Sequence, residues 1–196
     1  MIGGAHLFNG TKASLTADRF GRPLSALNLN GGFYQIPPGN YFPTGQFTIT
    51  VWCKLRQYGN WPSIVTFANG FHFDTVFLCF HAASTLPHFS IYNGNISIAS
   101  SYSANSTSVI NLNVWTHLAI TFDRNLNHAI YINSNLEMIA NSNKPLKNTT
   151  RIFNYVGRGD NFPGQPDIIG VIDELKIFNR AMTQKEIQFE MINNVY

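Results

Sequence analysis

The chain has 196 residues, with 13 Lys and Arg against 10 Asp and Glu, for a net charge of +3. Hydrophobic residues make up 44%, aromatic residues 14% and charged residues 12%. The charged share is about half the globular norm of roughly 25%, which excludes disorder and a coiled coil. No block of like charges and no apolar run of about 18 residues occurs, so neither nucleic-acid binding nor membrane insertion has a footing. The length fits a single domain, 1–196, large enough for a core that needs no disulfide or metal staple.

In chain order, Met1-Ile2-Gly3-Gly4-Ala5 lacks the basic and apolar blocks of a secretory leader. Four acceptor sequences for N-glycosylation nevertheless follow, at Asn9, Asn95, Asn105 and Asn148. We read the chain as a piece of a larger secreted protein whose leader lies elsewhere. Phe47–Leu55 alternates cleanly and predicts a strand with Phe47, Ile49, Val51, Cys53 and Leu55 on its dry face. Tyr58-Gly59-Asn60-Trp61-Pro62 is a polar turn. Strands are predicted at Val76–Phe80, Phe89–Tyr92 and Ile96–Ala99. Trp115–Phe122 repeats the alternation, with Leu118, Ile120 and Phe122 facing in. Ala129–Ile132 follows, and Asn133-Ser134-Asn135 is a turn signal. Arg151–Val156 and Ile168–Phe178 complete the predicted strands. Thr183-Gln184-Lys185-Glu186 is a capping box that opens one short helix. Gly, Pro, Asn and Ser clusters between strands predict an all-β fold, a two-sheet antiparallel β-sandwich (jelly roll) with a short C-terminal helix. Cys53 and Cys79 are compatible with one disulfide in an oxidising compartment or with two buried thiols.

Several segments resemble one family in order. They are Asp18-Arg19-Phe20-Gly21, Ser25 to Gly31, Tyr34-Gln35-Ile36-Pro37, Phe47-Thr48-Ile49 with Trp52, Trp115 to Ala119, Ile130-Tyr131-Ile132-Asn133, Val156-Gly157-Arg158 and Ile172 to Ala181. Together they are similar to laminin-G-like jelly-roll domains of the concanavalin A-like superfamily. The resemblance implies an extracellular binding or adhesion module whose partner is a glycan or an extracellular protein. It also implies a calcium ion near the chain ends or the loop rim. Calcium needs six to eight oxygens. Asp173 is the first candidate ligand, because its parity with Val171, Leu175 and Ile177 predicts an inward carboxylate that needs calcium or an arginine. Asp18 is the second candidate.

Catalysis has no support in the pattern. Glycoside hydrolysis needs two carboxylates flanking one bond. Jelly-roll glucanases resembling this fold carry Glu-x-Asp-x-Glu on one strand, which is missing here. The reading is therefore a non-catalytic, lectin-like module. Sugars are held by aromatic faces that stack on their C–H surfaces, plus planar amides and carboxylates that bond their hydroxyls. Three places offer these: the loop with Tyr58, Asn60 and Trp61; an outer sheet face with Trp52, Trp115, His117, Glu174 and Lys176; and the loop with Asp160 and Asn161. Arg158-Gly159-Asp160 spells an adhesion tripeptide, but three residues recur by chance.

Overall fold

A computed structural model describes residues 7–70, 73–82, 84–94, 101–159 and 167–193. Twelve strands and one helix follow in order: β1 (Phe8–Thr16), β2 (Ala26–Ile36), β3 (Phe47–Leu55), β4 (Ser63–Ala68), β5 (Val76–Phe80), β6 (Pro87–Tyr92), β7 (Ser101–Asn105), β8 (Thr116–Phe122), β9 (Asn127–Ile132), β10 (Asn135–Asn141), β11 (Phe153–Val156), β12 (Ile169–Phe178) and α1 (Gln184–Ile192). The strands predicted from alternation form. The strand expected at 96–99 lies outside the described residues. Five strands escaped the sequence reading: β1, β2, β4, β7 and β10. Among them, β1 is exposed along nearly its whole length and β4 is buried throughout, so neither alternates.

Every pairing is antiparallel, and the order is β10-β9-β8-β3-β12-β2-β11-β4-β5-β6-β7, with β1 also on β2. Two separate sheets were expected; the ladder instead runs continuously through β2. Residues 27–30 of that strand pair with β12, and residues 34–36 pair with β11. Between these halves lie Gly31, with φ +68°, and Gly32. A Cβ on Gly32 would fall 2.0 Å from the Thr11 carbonyl oxygen, so β1 can cross close only over glycine. At the far ends the strip nearly closes: the Tyr102 hydroxyl of β7 donates to the Asn141 carbonyl of β10.

The enclosed core draws on both halves of the strip. Phe47, Ile49, Val51, Cys53 and Leu55 of β3 meet Leu118, Ile120 and Phe122 of β8, and Val76, Leu78 and Phe80 of β5, in one cluster. Phe47 packs on Phe42, Phe89 and Phe122 at centroid distances of 4.5–6.1 Å. Asn133 and Ser134, with φ +49° and +64°, form the predicted turn between β9 and β10. Thr183 caps α1 as read: its hydroxyl accepts from the Glu186 N–H, and the Glu186 carboxylate accepts from the Thr183 N–H. Ile187 anchors that helix against Ala119, Ala129, Tyr131 and Met182. Among the described residues no helix is long and apolar enough to cross a membrane.

Two expectations are corrected by this geometry. No disulfide joins Cys53 and Cys79. Cys53 belongs to the core, whereas Cys79 alternates with the core residues Leu78 and Phe80 and so faces the other way; four strands separate β3 from β5. Burial pushes the Cys53 thiol up to about 12, which leaves it inert. The second correction concerns β12. Asp173 lies opposite Trp52 and Lys176 lies opposite Thr50, so one extra residue is inserted between them. Glu174 takes the left-handed conformation there, φ +48°. This bulge resets the parity. Asp173 therefore lies on the outer face with Val171, while Leu175 and Ile177 pack on the core.

Candidate functional site

The expected outer-face platform exists, but its floor is occupied. Trp52 and His117 are cross-strand neighbours on β3 and β8, with ring centroids 5.3 Å apart. The segment after β1 lays Arg19 over them, its guanidinium 4.7 Å from the Trp52 ring and 4.4 Å from the Phe20 ring. Arg19 Nη1 donates to Asp173 Oδ2 at 2.7 Å, and Nη2 lies 3.3 Å from Glu174 Oε2. From the other side, Lys176 Nζ reaches Glu190 of α1 at 2.5 Å and Glu174 at 3.6 Å. Burial pushes the His117 imidazole down to about 4, with Arg19 and Lys176 adding to the effect. Trp115 lies to one end, with Lys54 Nζ 5.1 Å from its ring.

The two candidate calcium ligands lie in this corner, and each faces an arginine. Asp18 accepts from the Phe20 and Arg22 backbone N–H groups at 2.9 Å and from Arg22 Nε at 2.6 Å. Burial opposes its charge, yet these bonds hold its carboxyl below the usual range. Burial raises the Asp173 carboxyl against the pull of Arg19, with Asp18 adding to the rise. Among the described residues no group of three or more His, Cys, Asp or Glu side chains could hold a metal ion.

The loop between β3 and β4 stands differently. Tyr58 is 56% exposed and Asn60 is exposed. Trp61 is partly buried and adopts φ +60°. That conformation is an outlier for a bulky residue, and such strain concentrates where a side chain must be aimed. Its indole stands edge-on to two imidazoles, 4.6 Å from His81 and 4.9 Å from His88. His88, on the outer face of β6, is bonded on both sides: Nδ1 to Asn105 Oδ1 and Nε2 to Ser90 Oγ, each at 2.6 Å. Burial lowers its basicity, and His81 contributes in the same direction. Phe77 lies 6.0 Å from the His88 ring and stacks on Tyr92 at 5.9 Å, with planes 4° apart. An aromatic and polar cluster thus runs from the half-buried Trp61 through the buried His88 and Ser90 to the exposed Asn105 of β7.

The sequence singled out the loop but not its partners His81, His88 and Ser90. Asn105 was noticed only as a glycan acceptor. The signal was present: the strand read at Phe89–Tyr92 turns Phe89 and Ile91 inward, so Ser90 and the preceding His88 must face out together. Asp160 and Asn161 lie outside the described residues, as does the acceptor Asn95. The acceptors Asn9, Asn105 and Asn148 are exposed. Arg158 is engaged: its Nε and Nη2 donate to Asp167 at 2.8 and 2.6 Å, and it lies 3.5 Å from the Phe33 ring.

A laminin G family model of the concanavalin A-like lectin/glucanases superfamily matches residues 29–188, and the chain belongs to that superfamily. No curated protein matches. Among solved structures, domain 4 of AbnA, a GH43 extracellular arabinanase from Geobacillus stearothermophilus, in complex with arabinotriose, superposes with TM-score 0.69 at 18% identity; the match covers 95% of this chain and 89% of that one. The binding domain of Paraclostridial Mosquitocidal Protein 1 gives TM-score 0.65 at 15% identity, covering 95% of this chain and 47% of that one. The botulinum neurotoxin serotype C1 binding domain gives TM-score 0.68 at 16% identity, covering 98% and 48%. The chain spans about half the length of these toxin domains. At such identities the likeness establishes the fold.

Proposed function

We propose that the chain is a non-catalytic, lectin-like module of a secreted protein, binding glycans through the loop that carries Tyr58, Asn60 and Trp61. The observation that carries this reading is Trp61, partly open and held in a strained conformation against His81 and His88. An indole face packs well on the C–H surface of a sugar, and amides and hydroxyls beside it satisfy sugar hydroxyls. The superfamily and the arabinotriose complex of a similar domain support the same class of ligand. The continuous strip is read here as a jelly-roll sandwich folded about β2, with this site on the outer side of β5 and β6. Calcium enters the reading only at Asp18 and Asp173, where it would compete with Arg22 and Arg19; a chelator added during the binding titration reports on it.

A glycan array followed by calorimetric titration tests the proposal. Trp61→Ala is expected to weaken binding at least about tenfold, the scale of one lost stacking contact. Unchanged binding in that variant removes the loop from the site. The second reading is a protein-interaction or spacer module. One feature favours it, a groove of about 390 Å³ in which Leu15, Leu24 and Leu27 lie beside the charged Asp173, Glu174 and Lys176. That reading predicts no affinity for any sugar and stands if the array is blank.

A further inference from the structure

Asn105 ends β7 directly opposite His88, and it is exposed while His88 is buried. His88 Nδ1 faces the amide oxygen of Asn105, an acceptor, so Nδ1 carries the ring proton. The other nitrogen, Nε2, is then an acceptor, and the Ser90 hydroxyl donates to it. The chain of donors runs Ser90 to His88 to Asn105 and fixes the amide with its oxygen inward. Both hydrogens of Nδ2 are left for the solvent side, next to the His88 ring on which Trp61 stands.

We propose that Asn105 is left unglycosylated and is the hydrogen-bonding arm of this site, presenting its Nδ2 hydrogens to a hydroxyl or ring oxygen of a neutral sugar that rests against Trp61; a glycan on the same nitrogen would exclude this role. The inference rests on the lectin-like reading and deepens it by naming the ligand class. Neutral follows from the surroundings. Among the described residues, the contacts recorded for Trp61, His81, His88 and Ser90 are aromatic rings, a hydroxyl, an amide and backbone groups, with no carboxylate, ammonium or guanidinium. No described cation in contact with these residues compensates the charge of an acidic sugar. The relay makes Ser90 and His88 positioning residues and Asn105 the specificity-determining one.

The test uses neutral arabino-, xylo-, gluco- and galacto-oligosaccharides beside sialylated and uronic-acid-containing ones. Wild type, Trp61→Ala, Asn105→Asp and Asn105→Ala are compared, with thermal melts on each. In Asn105→Asp an oxygen still accepts from His88, but the outward donors are gone. Neutral oligosaccharides are expected to bind. Asn105→Asp and Asn105→Ala should weaken them at least about tenfold, with the melting temperature of Asn105→Asp preserved. If Trp61→Ala weakens binding while both Asn105 variants bind as wild type, the module reading stands and the arm is overturned. Binding restricted to acidic oligosaccharides overturns the neutral class. Failure of wild type to bind any oligosaccharide at millimolar concentration overturns this inference together with the reading beneath it.

Discussion

Among the described residues, His128 is a fully buried polar side chain with both ring nitrogens orphaned. Its neighbours are the Tyr102 ring at 4.6 Å and the Phe89 ring at 5.8 Å. Burial pushes its imidazole down to about 4, against about 6.5 in an unfolded chain. Between those values the unfolded chain binds a proton that the folded one refuses. Stability is therefore level above about pH 6.5 and is lost as pH falls toward 4. His117 behaves alike. Each of the two histidines contributes about 2 kcal/mol, so urea denaturation at pH 7.5 and pH 5 is expected to differ by about 4 kcal/mol. His128→Leu should shrink that difference and stabilise the fold at both values, since an orphaned polar group is replaced by an apolar one. At this scale the sequence was partly readable. It placed Trp61 and Tyr58 in one polar turn. It could not show the left-handed backbone at Trp61, or that Asn105 would land opposite His88, because that pairing is a matter of register between β6 and β7.

Among the elements, β12 shows where period-two reasoning stops. The pattern assigns Leu175 and Ile177 to the core correctly, but it carries Asp173 inward with them because it has no place for an inserted residue. The bulge turns the carboxylates of Asp173 and Glu174 out toward Arg19, whose side chain is only 6% exposed. Arg19 thereby fastens the segment between β1 and β2 over Trp52. Arg19→Ala leaves Asp173 covered without its cation and Glu174 with Lys176 alone, and removing one partner of such a buried cluster typically costs about 3–5 kcal/mol. Chemical denaturation should show a loss of that order. A loss below about 1 kcal/mol would mean that solvent already reaches the pair. Phe47–Leu55 and Trp115–Phe122 were legible because polar residues alternate with apolar ones along them, even though β8 is buried on both faces; β1 was not, because it is wet on nearly every position, and β4 was not, because its six residues, Ser63 to Ala68, carry no such alternation.

For the whole molecule, β2 is the decisive strand. Its first half belongs to the ladder with β12 and its second half to the ladder with β11, so neither part of the strip can come apart without the other losing a neighbour. Thermal unfolding followed by near-ultraviolet and far-ultraviolet circular dichroism should give one coincident transition; two separated transitions would contradict the shared strand. The sequence announced an antiparallel all-β body. It did not announce this continuity, since β2 alternates poorly around its paired glycines.

The two sulfurs look out from opposite sides of the backbone strip, one on β3 and one on β5, and both are fully covered. The fold is therefore indifferent to reductant. Each thiol becomes a separate clock: the rate at which a maleimide captures Cys53 or Cys79 records how often that half of the protein breathes, read in one sample by mass spectrometry.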